Sequence, residues 1–139
     1  GLSRLKDGEI KNFVNNEYGL YRIMQIAEDG FGNIWAATYG GGICQVRIDE
    51  NDQMFVKKID TNSGLSSNNV YSILTDHDGN IWAGCQKGVD KVSLKHHQDG
   101  PGPHGIDKIQ SFVLCNHVAV TYKLKKQPLW TSEPAKLFK

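Results

Sequence analysis

The sequence lacks a charge imbalance, and this excludes several classes of partner. Its 139 residues include 16 Lys and Arg against 15 Asp and Glu, which gives a formal net charge of +1. Proteins that bind nucleic acid neutralise phosphates with clustered basic side chains, whereas acidic and basic residues are interleaved through most of this chain. We therefore predict no nucleic-acid partner, and the absence of a polybasic stripe argues against binding to a membrane surface.

Long apolar runs and a secretory leader are also lacking. No apolar stretch approaches the roughly 20 residues that a helix needs to cross a bilayer, and the amino terminus does not resemble a signal peptide. We predict no membrane segment in this chain. Because the chain opens in the middle of a repeated pattern, we also expect it to be a piece of a longer protein.

Cysteine is scarce, and its spacing predicts neither disulfides nor a metal site. Cys44, Cys85 and Cys115 are odd in number and show no C-x-x-C pair, so they cannot form a closed disulfide framework. We expect them to be buried as small hydrophobic side chains. His96 and His97 are adjacent, and neighbouring side chains in an extended chain point in opposite directions. The sequence therefore predicts no metal and no cofactor.

Recognisable catalytic motifs are absent as well. The sequence has no nucleophile elbow and no H-E-x-x-H pair. Three glycines at 40–42 follow a predicted strand but lead into another strand, so no helix N-terminus is available to bind phosphate. Acidic residues such as Asp76 and Asp78 fall in turns, where carboxylates cap backbone N–H groups. We predict that the chain is not an enzyme and contains no catalytic residues.

What the sequence does contain is an internal repeat. The stretch DGFGNIWA at 29–36 recurs as DHDGNIWA at 76–83, with six identities in eight positions and a period of 47 residues from Trp35 to Trp82. Similar residues flank both copies, and the opening GLSRL is similar to the strand that follows each copy. A fixed period of this length indicates a repeat architecture, with the chain starting partway through an earlier unit.

Apolar spacing and glycine positions divide each repeat into short strands. In the second repeat the predicted strands are 70–75, 81–85 and 89–94, joined by a turn at 76–79 and a two-residue turn at Lys87-Gly88. In the first repeat the fourth strand is MFVKKI at 54–59, whose two lysines suit the edge of a sheet. Four-stranded antiparallel units with periods of roughly 40 to 50 residues are typical of propeller blades.

We therefore predict an all-β fold, a partial β-propeller of four-stranded antiparallel blades with two full repeats and a partial one. The predicted units are the end of a preceding blade at 1–19, blades at 20–63 and 64–112, and a non-repeat tail at 113–139 with one strand followed by irregular chain. A closed ring takes at least about four blades. We expect the chain to be a fragment of a larger ring or to associate with copies of itself.

The stretch DHDGNIWAGCQK at 76–87, which begins with the acidic turn, has the wrong residues for a calcium loop. Ile81 stands where an EF-hand requires glycine, and Lys87 stands where it requires a bidentate glutamate. As a turn, Asp76 can accept hydrogen bonds from backbone N–H groups and Gly79 can supply a positive φ. We predict a structural turn without metal, and we expect the tryptophan of each repeat to fill the gap between adjacent blades.

These residues also carry a family resemblance. GLSSNNVYSILTDHDGNIWAGCQKGVDKV at 64–92 resembles the two-component regulator propeller repeat, and GLYRIMQIAEDGFGNIWAATYGGGICQV at 19–46 resembles it nearly as closely. That repeat occurs in the periplasmic sensor region of hybrid histidine kinases, especially in bacteria that degrade polysaccharides. The resemblance covers about residues 1–112. It implies a periplasmic location, signalling through a two-component receptor and oligosaccharide signals.

Alternating strand directions sort the loops onto two faces. If the 76–79 turn lies on one face, the turns between second and third strands and the loops between blades lie on the other. Aromatic rings beside amide side chains suit a sugar, because a pyranose has an apolar face and a rim of hydroxyls. The residues that we predict to bind such a ligand are Tyr39, Tyr21, Arg22, Asn68, Asn69 and Gln86. The alternatives are a propeller scaffold that binds another protein, or a propeller lyase or hydrolase.

Overall fold

The computed structural model describes residues 1–13, 19–95 and 105–112, and it contains ten short strands. They are β1 (Leu2–Lys6), β2 (Glu9–Phe13), β3 (Ile23–Glu28), β4 (Ile34–Thr38), β5 (Gly42–Ile48), β6 (Met54–Ile59), β7 (Val70–Thr75), β8 (Ile81–Cys85), β9 (Gly88–Leu94) and β10 (Ile106–Phe112). Single 3₁₀ turns occur at Leu20–Arg22 and Thr61–Ser63. The described residues contain no α-helix, and the predicted all-β class is confirmed.

The strands form two four-stranded antiparallel sheets and a separate hairpin. One sheet has the order β3-β4-β5-β6, the other has the order β10-β9-β8-β7, and β1 pairs with β2. Each large sheet is thus a simple meander, in which every strand pairs with its neighbour in the chain. This arrangement confirms the predicted partial propeller of four-stranded antiparallel blades. We call the sheet β3–β6 the first blade and the sheet β7–β10 the second blade.

Strands β6, β7 and β8 begin and end at the predicted residues, but one turn is shifted. The loop between β8 and β9 consists of Gln86 and Lys87, because Cys85 already pairs with Gly88 in the ladder. The predicted Lys87-Gly88 turn is therefore wrong by one residue. Gly88 is the first residue of β9 and has a φ of 146°. Its positive φ therefore occurs at the start of the strand and not at the centre of the turn.

The two blades pack face to face over a shared apolar core. This core joins Trp35, Ala37 and Ile43 of the first blade to side chains of the second blade that include Val70 and Ile73. Trp35 is fully buried. Burial of apolar surface contributes roughly 25 cal/mol per Å², so this shared core stabilises both blades.

Hydrogen bonds between the first strands of the two blades fix their relative position. The backbone N–H of Ile73 in β7 donates to Gln25 Oε1 in β3 at 2.9 Å. The hydroxyl of Thr75 donates to the carbonyl oxygen of Glu28 at 3.0 Å. Both β3 and β7 lie at the edge of their own sheets, so these bonds satisfy edge groups that would otherwise face water.

The hairpin β1–β2 packs on the opposite side of the first blade. Leu2 contacts a second apolar cluster, which includes Ala36, Cys44 and Val46. At the polar end of this contact, Asp52 accepts from Lys11 at 2.9 Å and forms an ion pair with Arg4. The hydrogen bonds from Lys11 and then from Arg4 hold the pKa of the Asp52 carboxyl below its usual range. These contacts hold the hairpin against the first blade, and the assignment of residues 1–19 to the end of a preceding blade stays a prediction.

Several predicted features fall outside the described residues. The strand expected within the 113–139 tail, the pair His96 and His97, and Cys115 belong to this group. The side chain of Tyr21 is likewise outside the described part of the chain. Within the described part, no helix is long and apolar enough to cross a membrane.

Candidate functional site

The repeated acidic turn is closed by its own aspartate. In the second repeat, Asp76 Oδ1 accepts from the backbone N–H groups of Asp78 and Asn80, both at 2.9 Å. The Asn80 amide donates to Asp76 Oδ2 at 2.9 Å, and Gly79 has a φ of 80°. The first repeat forms the same turn around Asp29. The predicted turn is confirmed.

One partner of this aspartate was not predicted from the sequence, namely the tryptophan six residues later. Trp82 Nε1 donates to Asp76 Oδ2 at 2.7 Å, and Trp35 Nε1 donates to Asp29 Oδ2 at 2.8 Å. Both carboxylate oxygens are thus occupied by protein donors, so the turn has little left to offer a cation. Among the described residues no group of three or more metal-ligating side chains occurs. The fixed six-residue spacing in both repeats was the signal for this bond.

The two tryptophans differ in their surroundings. Trp35 lies in the core between the blades, as predicted. Trp82 is half-buried and stacks on Phe112 of its own sheet, with ring centroids 5.9 Å apart and planes 20° from parallel. The Lys91 ammonium lies 5.3 Å from the centre of the Trp82 indole. Among the described residues, the expected role in filling a gap between blades therefore applies to Trp35 alone.

Hydrogen bonding shifts the acidity of Asp76. Burial by itself would raise the pKa of this carboxyl, but the bonds from Trp82 and Asn80 outweigh burial, and the pKa lies below its usual value. A carboxyl with a lowered folded-state pKa contributes stability that is complete above its unfolded pKa of about 3.9 and is lost as pH falls further.

We therefore expect the Asp76→Asn variant to lose roughly 1–3 kcal/mol of unfolding free energy at neutral pH, because bonds to a charged acceptor are the stronger ones. Below about pH 4 the variant and the parent protein should converge. Urea unfolding at a series of pH values measures this difference. Asp78→Asn is the matched control and is expected to unfold like the parent protein, since Asp78 is exposed and contributes its backbone N–H to the turn. A constant difference between the Asp76 variant and the parent at all pH values would contradict the assigned role.

The opposite face of the blades is built from loops of both repeats. The Tyr39 N–H donates to the carbonyl oxygen of Arg22 at 3.0 Å, and Tyr39 forms a β-bridge with Asn69. The Gln86 N–H donates to the carbonyl oxygen of Asn69 at 2.9 Å. Four of the residues predicted for ligand binding are therefore connected through their backbones. We call this surface the loop face.

The side chains on the loop face form a small aromatic and amide cluster. Tyr39 is 40% exposed, and the Arg22 guanidinium lies 5.8 Å from the centre of its ring. Tyr71 also lies next to Tyr39, with ring centroids 6.1 Å apart and planes at 51°. The Asn69 amide donates to Gln86 Oε1 at 2.8 Å. The rings and the amide pair are thus held together at the junction of the two blades.

Asn68 has a structural position in this cluster. Its carbonyl oxygen accepts from the N–H groups of Gly40 and Gly42 at 3.0 and 2.9 Å, and its side-chain oxygen accepts from the Thr61 N–H at 2.9 Å. These bonds join the loop between the blades to the glycine turn of the first blade. Asn68 consequently holds the loop face together beneath the exposed side chains.

Tyr71 is a residue that the sequence analysis did not single out. The pairing of β7 with β8 shifts between Val70 and Ser72, which leaves Tyr71 at an irregularity of the ladder. Irregularities of this kind redirect a side chain relative to regular alternation. In the first repeat the corresponding shift falls at Met24. The sequence offered no signal for this, because Tyr71 is an ordinary residue for the strand predicted at 70–75.

The described cysteines are unsuited to nucleophilic chemistry. Cys44 and Cys85 are both buried and carry thiols. Burial raises the pKa of the Cys44 thiol to about 11, with a small opposing effect from Lys58. Burial, and then the neighbouring Asp90 carboxylate, raises the pKa of the Cys85 thiol. Both thiols remain protonated at neutral pH, and the prediction that they are buried as small hydrophobic side chains is confirmed for these two.

The described architecture is that of consecutive β-propeller blades with a loop face formed across their junction. Residues 64–87 match the family model described as two component regulator propeller. The chain therefore carries this propeller repeat, and the resemblance inferred from its sequence is confirmed. No curated protein and no solved structure matches the chain significantly.

Proposed function

We propose that this chain is part of the periplasmic ligand-sensing propeller of a two-component receptor that responds to oligosaccharides. The observation that carries the proposal is the loop face, where an exposed tyrosine and an amide pair meet at the junction of two blades. The match of residues 64–87 to the two component regulator propeller supports the receptor class. A histidine kinase elsewhere in the same receptor would produce the chemical output.

The loop face suits a sugar for three physical reasons. The Tyr39 ring offers a flat apolar surface on which a pyranose can stack. The carboxamides of Asn69 and Gln86 offer donors and acceptors that match a rim of hydroxyls. Arg22 adds a cationic donor beside the Tyr39 ring. A bound saccharide would contact the ring and the amides at the same time.

The same geometry supports signalling without chemistry in this segment. Tyr39 belongs to the first blade, whereas Asn69 and Gln86 belong to the loop before the second blade and to that blade itself. A ligand that contacts all three stabilises one arrangement of the blades relative to others, and differential affinity is what shifts a conformational equilibrium. The proposed output is therefore a change in blade geometry that is passed to the remainder of the receptor.

Isothermal titration calorimetry against an oligosaccharide panel tests this proposal. We expect micromolar to millimolar binding of at least one saccharide, and a loss of at least tenfold in affinity in Tyr39→Ala, because the stacking surface is removed. Tyr39→Phe should retain most of the affinity. Phe31→Ala is the matched control, since Phe31 is 41% exposed against 40% for Tyr39 but lies in the acidic turn on the opposite face.

The oligosaccharide panel also distinguishes a sensor from the two alternatives, a protein-interaction scaffold and a propeller enzyme. Binding of a protein partner that depends on Tyr39, with no response to any saccharide, would favour an interaction scaffold. Turnover of a saccharide that survives Tyr39→Ala but depends on a single acid or histidine would favour an enzyme. Saccharide binding that is equally strong in Tyr39→Ala and in Phe31→Ala would refute the loop face as the site.

A further inference from the structure

A second concave surface lies at the end of the first blade opposite to the loop face. It is a groove of about 480 Å³, a size within the usual range for ligand pockets, and it is lined by Asn33, Gln45, Arg47, Asp49, Phe55, Val56 and Lys57. The residues come from β5, β6 and the turns at the same end of the sheet. We call this surface the β6 groove.

The wall of the β6 groove contains a buried amide that no described residue pairs with. Gln45 is 4% exposed, and neither its amide nitrogen nor its amide oxygen has a hydrogen-bond partner among the residues that the structure describes. Burying an amide without such bonds is costly, and nearly all buried polar groups in native proteins are paired. Unsatisfied groups of this kind are expected at functional sites, where a ligand completes the bonds.

The charges around the groove favour an acidic ligand. Arg47 and Lys57 are exposed cations in its lining. Asp49 is the one acid in the lining, and its Oδ1 already accepts from the N–H groups of Asn51 and Gln53 at 2.9 and 2.8 Å. The groove lining therefore has two cations, Arg47 and Lys57, against one carboxylate, Asp49, which is already hydrogen-bonded within its own turn.

The groove also has an apolar platform on an edge strand. Phe55 is 52% exposed although it lies within β6, directly opposite Arg47 of β5. In the described sheet β6 pairs with β5 alone, so backbone groups on its outer side are available to another extended chain. Among ligand classes, a peptide can use both features, because it presents a side chain to Phe55 and backbone groups to β6.

We propose that the β6 groove binds a short, extended, acidic peptide segment. One residue of the extended ligand pairs with Gln45, donating its N–H to Oε1 and accepting from Nε2 through its carbonyl oxygen, because both groups of one residue in an extended chain point to the same side. An apolar ligand side chain packs on Phe55, and a ligand carboxylate meets Arg47 and Lys57. This site is separate from the loop face, so either of the two proposals can fail while the other stands.

The test measures fluorescence anisotropy with labelled hexapeptides and the full 139-residue chain. The probes are one peptide that alternates valine with glutamate and one that alternates valine with lysine. We expect saturable binding of the glutamate peptide and at least tenfold weaker binding of the lysine peptide. Equal binding of the two peptides, or no binding of the glutamate peptide, would overturn the proposal. So would binding of trigalacturonic acid in preference to the glutamate peptide.

The decisive variant is Gln45→Met, which removes the amide and keeps a side chain of similar length. It is expected to raise the thermal midpoint, because an unpaired buried amide is lost, and to weaken peptide binding at least tenfold. Gln53→Met is the matched control, since Gln53 is exposed and outside the groove lining. Phe55→Ala is a second groove variant, and we expect it also to weaken binding of the glutamate peptide. Phe55 is exposed, so this substitution removes little buried surface. Unchanged affinity in both groove variants would refute the assignment.

Discussion

Trp35→Ala is expected to lower the free energy of unfolding by about 3–5 kcal/mol, the usual effect of removing a buried tryptophan side chain. Trp35 is fully buried in the core shared by the two blades, so its loss opens a cavity at their junction. It also removes the indole donor to Asp29. Chemical denaturation followed by circular dichroism measures the change, since this signal does not depend on the deleted fluorophore.

The repeat provides a matched control at the equivalent position. Trp82 makes the same hydrogen bond to its own aspartate but is only half-buried, and we expect Trp82→Ala to cost about 1–2 kcal/mol because less apolar area is lost. Trp35→Phe preserves most of the packing and removes the donor, with an expected cost of about 1–3 kcal/mol. Equal costs for the two alanine variants would contradict the position of Trp35 between the blades.

Gly42→Ala is expected to cost about 3 kcal/mol or more. Gly42 has a φ of 76°, which costs other residues roughly 1–2 kcal/mol, and a Cβ here would overlap the carbonyl oxygen of Ile59. The backbone of β6 would have to shift to relieve that overlap. The Gly42 N–H donates to the carbonyl oxygen of Asn68, which lies in the loop face. Because the substitution would displace this contact, it should also lower the affinity of the loop face for its ligand.

Gly40→Ala separates the two contributions. Gly40 has a φ of 90°, yet a Cβ at this position meets no atom within 4 Å. Its expected cost is therefore the conformational penalty alone, about 1–2 kcal/mol. Thermal unfolding of both variants gives the comparison. If Gly40→Ala proved as destabilising as Gly42→Ala, the close approach of Gly42 to Ile59 would not be the cause.

The repeat made most of the strands predictable. Two aligned copies showed which positions turn and which alternate, and β6, β7 and β8 begin and end where expected. The prediction of the one misplaced turn rested on the glycine at position 88. Gly88 does have a positive φ, but it is the first residue of β9 and not part of the turn. A positive φ can occur at either place, and the spacing of the sequence does not distinguish them.

The loop face was predictable because strand direction fixes which end of a blade each loop occupies. Tyr39, Asn69 and Gln86 lie together as that argument requires, although their role in binding stays a prediction. Tyr71 could not be foreseen, because it lies at an irregularity of the ladder. Gln45 was equally hidden, since alternation places it in the sheet but reveals nothing of its unpaired amide.

The two blades dock through their first strands, β3 and β7, and hydrogen exchange of the Ile73 amide measures this docking. Its N–H points out of its own sheet and donates to Gln25 of the neighbouring blade. We predict slow exchange of the Ile73 amide in the parent chain and faster exchange in Gln25→Ala. Rapid exchange in the parent chain, unchanged by that substitution, would show that the blades are not docked in this way.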